Sequence, residues 1–268
     1  MTTIPFKDAT PVLQVKNLNV TFAGSPVSVL DGISLTVRAG ETLALVGESG
    51  CGKSITSLAL MGLLPASARI VSGEMQFRRH DLRKLSPREY ADLRGSELAM
   101  IFQEPMTSLN PAFTLGDQLS EAVMRHQDVS RAEAMKIALQ ILEKVQIPAA
   151  EMRLKAYPHQ LSGGMRQRVG LARALAADTE IILMDEAFSA LDPLIRADMQ
   201  DQLLELQKTL HKTIVFITHD LDEAVRIGNR IAILKDGQLI QVGTPREILH
   251  QPADDYVDRF VQRRVANL

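Results

Sequence analysis

Eight residues in the first quarter of the chain, Gly47-Glu48-Ser49-Gly50-Cys51-Gly52-Lys53-Ser54, have the types and spacing of a phosphate-binding loop. They follow the apolar run Thr42–Val46 and open onto a helical pattern over Ile55–Leu64, the strand–loop–helix context that a G-x-x-x-x-G-K-[ST] motif requires. The glycines let successive backbone N–H groups face a phosphate, and the helix adds the positive end of its dipole. Lys53 is expected to reach the β- and γ-phosphates, and the Ser54 hydroxyl to contact Mg²⁺. The stretch therefore predicts a nucleotide site rather than a glycine-rich turn with a surface lysine.

Two acids follow another apolar run, Ile181–Met184, at the end of a predicted buried strand. A strand that ends in Asp185 beside a phosphate loop is where Mg²⁺ finds its second protein contact. The adjacent Glu186 is placed to polarise an attacking water. Alone, such a pair is as often an ordinary cap; combined with residues 47–54 it indicates nucleotide hydrolysis.

A third motif, Leu161-Ser162-Gly163-Gly164-Met165, precedes a helical pattern over Arg166–Ala176. Ser162 can cap this helix, and the two glycines expose the N–H groups at its positive end. A plain helix start is the alternative, although two glycines there would weaken it for no structural return. The motif predicts a second phosphate-binding helix terminus.

The elements that must position these residues alternate in type along the chain. Residues 12–22 and 27–37 alternate apolar and polar side chains around a Gly24-Ser25-Pro26 turn, which predicts an antiparallel start. From Glu104 to about Val169 the pattern is helical and strandless, and strands alternate with helices again afterwards. We therefore expect an α/β fold with a mostly parallel sheet and helices on both of its faces.

Composition narrows the class of protein further. The 268 residues are 46% hydrophobic and 23% charged with a net charge of −2, as expected of a globular domain and weakly against a nucleic-acid partner. No apolar run approaches the roughly 18 residues of a membrane span, and the first residues do not have the pattern of a secretory signal. A single cysteine excludes a disulfide framework and a cysteine-rich zinc site. A cytosolic setting fits these features.

That cysteine, Cys51, lies inside the phosphate-binding loop beside a helix N-terminus. This position favours the thiolate, because a helix N-terminus lowers the pKa of a thiol. We expect Cys51 to react with alkylating reagents and bound nucleotide to protect it. An inert, buried cysteine is the alternative.

Together the motifs resemble the nucleotide-binding subunit of an ABC transporter over nearly the whole chain. LSGGM is similar to the LSGGQ signature, with Met165 in place of the final glutamine; importers of this type tolerate the change, which removes one polar contact. Residues 181–186 match the Walker B motif, with Glu186 as catalytic base. Gln103 matches the Q-loop, Ser189-Ala190-Leu191-Asp192 matches the D-loop, and His219 matches the switch histidine. Phe22 stands where the family stacks an aromatic ring on adenine; a core phenylalanine is the alternative.

The resemblance implies a P-loop NTPase (RecA-like) core with an antiparallel β subdomain and an inserted helical subdomain. The nucleotide core would comprise residues 12–103 and 170–250, the helical subdomain 104–169 and a C-terminal tail 251–268. The cofactors would be ATP, contacted by Phe22, residues 47–54, Leu161 to Met165 and Asp192, and Mg²⁺, contacted by Ser54, Gln103 and Asp185. Glu186, His219 and Gln103 would be the catalytic residues.

The same resemblance implies partners and a location. Two subunits would form a head-to-tail dimer, each ATP lying between residues 47–54 of one and Ser162–Gly164 of the other. The helical insert would dock on a membrane permease, served by a substrate-binding protein, at the cytoplasmic face of the cell membrane. Gln103 would link the γ-phosphate to that contact.

The two halves of the chain resemble different subfamilies. Ile101–Pro111 and Tyr157-Pro158-His159-Gln160 resemble dipeptide and oligopeptide importers, whereas from about Gly170 the chain is similar to glycine betaine/proline importers. The C-terminal extensions usual in either subfamily are not expected here. Import of peptides is the first interpretation and of quaternary amines the second. A soluble ABC ATPase acting on DNA or the ribosome, and a P-loop GTPase or kinase, are the alternatives from other classes.

Overall fold

The computed structural model describes residues 10–103 and 109–265. The strands are β1 Pro11–Phe22, β2 Ser28–Arg38, β3 Thr42–Val46, β4 Ala68–Phe77, β5 His80–Asp81, β6 Leu98–Ile101, β7 Ile181–Asp185, β8 Thr213–Thr218, β9 Arg230–Lys235 and β10 Gln238–Gly243. The helices are α1 Lys53–Leu60, α2 Pro87–Leu93, α3 Leu115–His126, α4 Arg131–Lys144, α5 Ala150–Arg153, α6 Gly163–Ala176, α7 Pro193–Leu210, α8 Leu221–Ile227, α9 Pro245–His250 and α10 Asp255–Val265. They fall into two compact units, one up to Ala91 and from Lys212 onward, the other Asp92–His211.

The first unit begins with an antiparallel sheet in the order β2-β1-β4-β5. β1 pairs with β2 from Pro11↔Arg38 to Thr21↔Ser28, which confirms the antiparallel start predicted from the alternating pattern. β4 begins at Ala68, and most of its residues are exposed or half-buried, so its sequence carries little apolar periodicity.

The first unit also contains parallel strands. β3 is buried at all five positions and pairs in parallel with β8 and with β9, and β10 returns antiparallel to β9. A strand covered on both faces has a continuous apolar sequence, as TLALV does. The carboxyl ends of β3 and β8 therefore lie side by side, which places the phosphate-binding loop beside the turn that contains His219.

Helix α10 belongs to the first unit and has no counterpart among the elements predicted from the sequence. Its residues Val257 and Val261, four apart, pack into a core cluster with Ala44, Val46 and Ile233. Residues i and i+4 share one helix face, and Tyr256, Val257, Phe260 and Val261 recur at helix spacing, a local signal that the prediction of a tail overlooked. The predicted C-terminal tail is thus helical over 255–265.

In the second unit β6 and β7 pair in parallel from Leu98↔Ile181 to Ile101↔Met184. Between residues 109 and 169 the structure contains helices and turns and no strand, as predicted. The Gln118 side chain ties the start of this segment together, because it accepts from Asn110 N at 2.9 Å and donates to Asn110 O and Phe113 O at 2.9 and 3.0 Å. A capping box of Ser130 and Glu133 opens α4.

No helix within the described residues combines the length and the apolar character of a membrane crossing.

A buried ion pair closes the turn between β2 and β3. The Glu41 side chain is fully buried; it accepts from Arg38 N at 2.8 Å and pairs with Arg230 at 2.9 Å, and the Arg230 side chain is 22% exposed. Removing one member of a buried pair leaves the other charge without its partner in a poorly solvated site.

We expect Glu41→Gln to lower the free energy of unfolding by about 3 kcal/mol, measured by urea denaturation at constant pH. Glu74→Gln is the matched control, since Glu74 pairs with Lys16 at 3.9 Å on an exposed surface where an ion pair contributes little. Equal losses in the two variants would contradict the assignment of Glu41 as the more important contact.

Candidate functional site

Close backbone packing shapes the phosphate-binding loop. A Cβ atom at Gly47 would lie 2.5 Å from the carbonyl oxygen of Leu234, and one at Gly52 would lie 2.5 Å from Leu30 Cδ2. Gly52 is also the N-cap of α1 with φ +106°, a conformation that side chains other than glycine rarely adopt. No side chain caps this helix, an arrangement compatible with a phosphate at its N-terminus.

Lys53 is buried inside this loop. Its Nζ donates to Gly47 O at 2.8 Å and to Glu48 O at 2.9 Å. The loop is also joined to the β9–β10 hairpin, because Gly237 N donates to Cys51 O at 3.0 Å. The predicted phosphate-binding residues therefore form one braced structure, in which Glu48, Ser49, Gly50 and Ser54 are exposed.

The Cys51 thiol differs from the prediction. Cys51 is 5% exposed, and burial raises its pKa despite the nearby Lys53 ammonium, which acts in the opposite direction. Desolvation disfavours the thiolate more than the neighbouring charge favours it. The expected lowering of the thiol pKa is therefore wrong, and the burial of Cys51 favours the alternative of an inert thiol; the labelling behaviour itself stays a prediction.

Asp185 and Glu186 occupy the end of β7 and the turn that follows, and both are half-buried. Glu186 has φ +46°, a left-handed conformation that costs a residue with a Cβ roughly 1–2 kcal/mol. The Ser189 hydroxyl donates to Glu186 O at 2.9 Å, and Gln103 Nε2 donates to the same hydroxyl at 3.3 Å. Ser189, the first residue of the predicted D-loop, thus connects Gln103 with the turn at Glu186, a role that the sequence did not reveal.

The signature stretch, residues 161–165, forms the N-terminus of α6. Leu161 is buried, and the exposed Ser162 caps the helix by accepting from Met165 N at 3.3 Å. The two glycines differ: a Cβ at Gly164 would lie 2.8 Å from Ile195 Cγ2, whereas a Cβ at Gly163 would meet nothing within 4 Å. Gly164 therefore has a packing role that the sequence did not reveal, while Gly163 leaves the helix end open.

The remaining predicted residues lie at element ends. Asp192 caps α7 by accepting from Leu194 N and Ile195 N, both at 3.1 Å. His219 is exposed directly after β8, and Phe22 is half-buried at the end of β1. The structure places Phe22 and His219 with the phosphate-binding loop in the first unit, and Gln103, Asp185, Glu186, Asp192 and the signature stretch in the second.

A further contact to the phosphate-binding loop was invisible in the sequence. Arg263 of α10 pairs with Glu48 at 2.9 Å, and both side chains are largely exposed. The two residues are 215 positions apart, and no local pattern relates them.

Comparison with known proteins identifies the family. The ABC transporter family profile matches residues 30–189. The dipeptide transport ATP-binding protein DppD of Bacillus subtilis is 44% identical over 248 residues, covering 91% of this chain and 74% of that protein. The chain belongs to the ABC transporter ATP-binding family.

Other relatives of this ABC ATPase agree. The oligopeptide transport ATP-binding protein OppD of B. subtilis is 43% identical over 92% of this chain and 70% of its own length. The dimeric structure of MJ0796, a bacterial ABC transporter cassette, has a TM-score of 0.76 at 29% identity and covers 87% of this chain and 99% of that one. The predicted ABC ATPase fold is confirmed, whereas the roles of single residues and the betaine-like character of the C-terminal half stay predictions.

We expect the Cys51 thiol of this ABC ATPase to be alkylated at pH 7 at least about tenfold more slowly than the same thiol in the urea-unfolded chain, since only the thiolate reacts. The rate should increase as the pH is raised toward the elevated pKa. Mass spectrometry of the only cysteine gives both rates. Rapid labelling that bound ATP blocks would restore the original prediction of a reactive thiolate.

Proposed function

We propose that this ABC ATPase binds and hydrolyses ATP to drive the import of peptides through a membrane permease. Relatives named for dipeptide and oligopeptide transport, at 43–45% identity over more than nine-tenths of the chain, carry the proposal. The peptide-type sequence around residues 101–111 and 157–160 supports the same cargo class.

ATP is proposed to contact the phosphate-binding loop through the N–H groups of residues 47–54 and through Lys53, whose Nζ already lies against the loop carbonyls. Mg²⁺ fits the donor set predicted for it, because Ser54, Gln103 and Asp185 offer hydroxyl, amide and carboxylate oxygens, the hard ligands that this ion prefers. When bound, the ion would neutralise charge on the phosphates.

Glu186 is the proposed general base. Its carboxylate follows a buried strand, and its backbone is held in an unusual conformation by the turn to Ser189. His219 and Gln103 are proposed to contact the γ-phosphate region. Such groups raise the hydrolysis rate by orienting water and the phosphate.

A second subunit is proposed to complete each nucleotide site. The exposed Ser162 and the open space at Gly163 leave the N-terminus of α6 accessible to an anion from outside the subunit. The similarity to a dimeric ABC cassette supports a head-to-tail pair.

The permease is proposed to dock on the helical insert at the cytoplasmic face of the membrane. Within the described part of that insert, Phe113, Met124 and Met152 are exposed apolar side chains, which commonly mark a protein contact. Residues 104–108 lie outside the described residues, so the permease contact predicted for them rests on sequence alone. The permease and its binding protein would determine the cargo.

We expect Glu186→Gln to bind ATP with unchanged affinity and to hydrolyse it at least about a hundredfold more slowly. It should accumulate as an ATP-dependent dimer in size-exclusion chromatography. Lys53→Ala is the contrasting variant, because loss of a charge-assisted contact should weaken ATP binding itself. Wild-type turnover by Glu186→Gln would remove Glu186 from the proposed mechanism.

A chimera tests which kind of permease the chain binds and through which residues. Co-expressed with one permease of each kind, the chain should co-purify with a peptide-type permease, and replacing residues 104–160 with a betaine-type insert should switch that preference. As the control, residues 170–250 replaced by peptide-type sequence should leave it unchanged. Co-purification of the unaltered chain with the betaine-type permease would place the docking surface in the C-terminal half instead.

A further inference from the structure

Arg196, in the first turn of α7, donates hydrogen bonds to the backbone of the loop that follows Glu186. Its Nε donates to Phe188 O at 3.2 Å, and its Nη2 donates to Ser189 O at 3.0 Å and to Leu191 O at 3.1 Å. One side chain thus contacts three of the four carbonyl oxygens between Phe188 and Leu191. Arg196 is half-buried, and hydrogen bonds from a charged donor are stronger than neutral ones.

The predicted catalytic residues Glu186 and Gln103 are both hydrogen-bonded to this loop. Ser189 donates from its N–H and its hydroxyl to Glu186 O, at 3.1 and 2.9 Å, and its hydroxyl accepts from Gln103 Nε2. Glu186 itself has φ +46°, a conformation that persists only where its surroundings hold it. A displacement of Ser189 would therefore release Glu186 and Gln103 together.

The geometry suits arginine and not lysine. A guanidinium presents several N–H donors in a rigid plane, so one group can hold carbonyls that point in different directions. A lysine ammonium keeps the charge, but it is a single point on a flexible stem and cannot reproduce the fork. The three contacts therefore require the shape of arginine as well as its charge.

We propose that Arg196 is a positioning residue for ATP hydrolysis, which fixes the Phe188–Leu191 loop and through Ser189 orients Glu186 and Gln103. The proposal rests on the proposed role of Glu186. Arg196 touches no reacting atom, so its loss should affect the orientation of the catalytic groups and spare the binding of ATP by the phosphate-binding loop.

Steady-state ATPase kinetics of Arg196→Ala and Arg196→Lys test the proposal. Both variants should lose at least about tenfold in kcat, since small misplacements of catalytic groups have large effects, while KM for ATP stays close to the wild-type value. Arg196→Lys, which preserves charge and most of the side-chain volume, keeps the test decisive if Arg196→Ala fails to fold.

Arg168→Ala and Arg168→Lys are the matched controls. Arg168 also donates to a backbone carbonyl, Gln146 O at 3.0 Å, and pairs with Asp198 of α7, but it does not contact the loop. They should lower the melting temperature to a similar extent while retaining kcat.

Arg196 variants with wild-type kcat, or with the same kcat and KM as their Arg168 counterparts, would overturn the proposal and reduce Arg196 to a structural contact. Glu186→Gln is measured alongside to separate the two hypotheses. Slow Glu186→Gln with fast Arg196 variants refutes only the positioning role. Fast Glu186→Gln refutes the role of Glu186, and the inference about Arg196 with it.

Discussion

Backbone-to-backbone contact at the phosphate-binding loop is the constraint on which the first unit depends. A Cβ at Gly47 would lie 2.5 Å from Leu234 O, and one at Gly237 would lie 2.3 Å from Val29 O. At these two glycines the phosphate-binding loop, the β9–β10 hairpin and β2 approach within backbone contact, and Gly237 joins them by donating to Cys51 O and accepting from Asp31 N. A phosphate-binding loop gains its rigidity from this packing, since the amides are oriented before any anion arrives.

In the second unit side-chain hydrogen bonds, rather than glycines, shape the turn at the predicted Walker B acids. There the turn after Asp185 contains Glu186 in a left-handed conformation, which glycine would adopt without strain. The proposed role of Glu186 requires a carboxylate at that position, and hydrogen bonds from the Ser189 hydroxyl and N–H to Glu186 O hold the turn. The two sites therefore tolerate different substitutions. A Cβ cannot be accommodated at Gly47, whereas the turn at Glu186 depends on the shape of the side chains that hydrogen-bond to it.

The family and the order of the elements could be predicted because each depends on local pattern. TLALV before the glycines, the Ser130–Glu133 capping box and the alternation of β1 and β2 are readable within a few residues. The high pKa of Cys51 was mispredicted, because the local motif shows the helix terminus and not the atoms that bury the thiol. The contact of Ser189 with Gln103 was missed for the same reason, since the two residues are 86 positions apart. Helix α10, in contrast, has a local apolar pattern in Tyr256, Val257, Phe260 and Val261 that could have been read.

Helix α10 could be held beside the phosphate-binding loop by an ion pair or by burial of its apolar side chains. Its ion pair from Arg263 to Glu48 is 72% and 55% exposed, and such pairs contribute about 0–1 kcal/mol. Val257 and Val261 are 0% and 8% exposed in the core, and each buried aliphatic side chain contributes about 1.5–3 kcal/mol. Burial of the two valines therefore anchors the helix. Arg263 is free to adapt to the loop without the helix being lost, because the anchor does not depend on it.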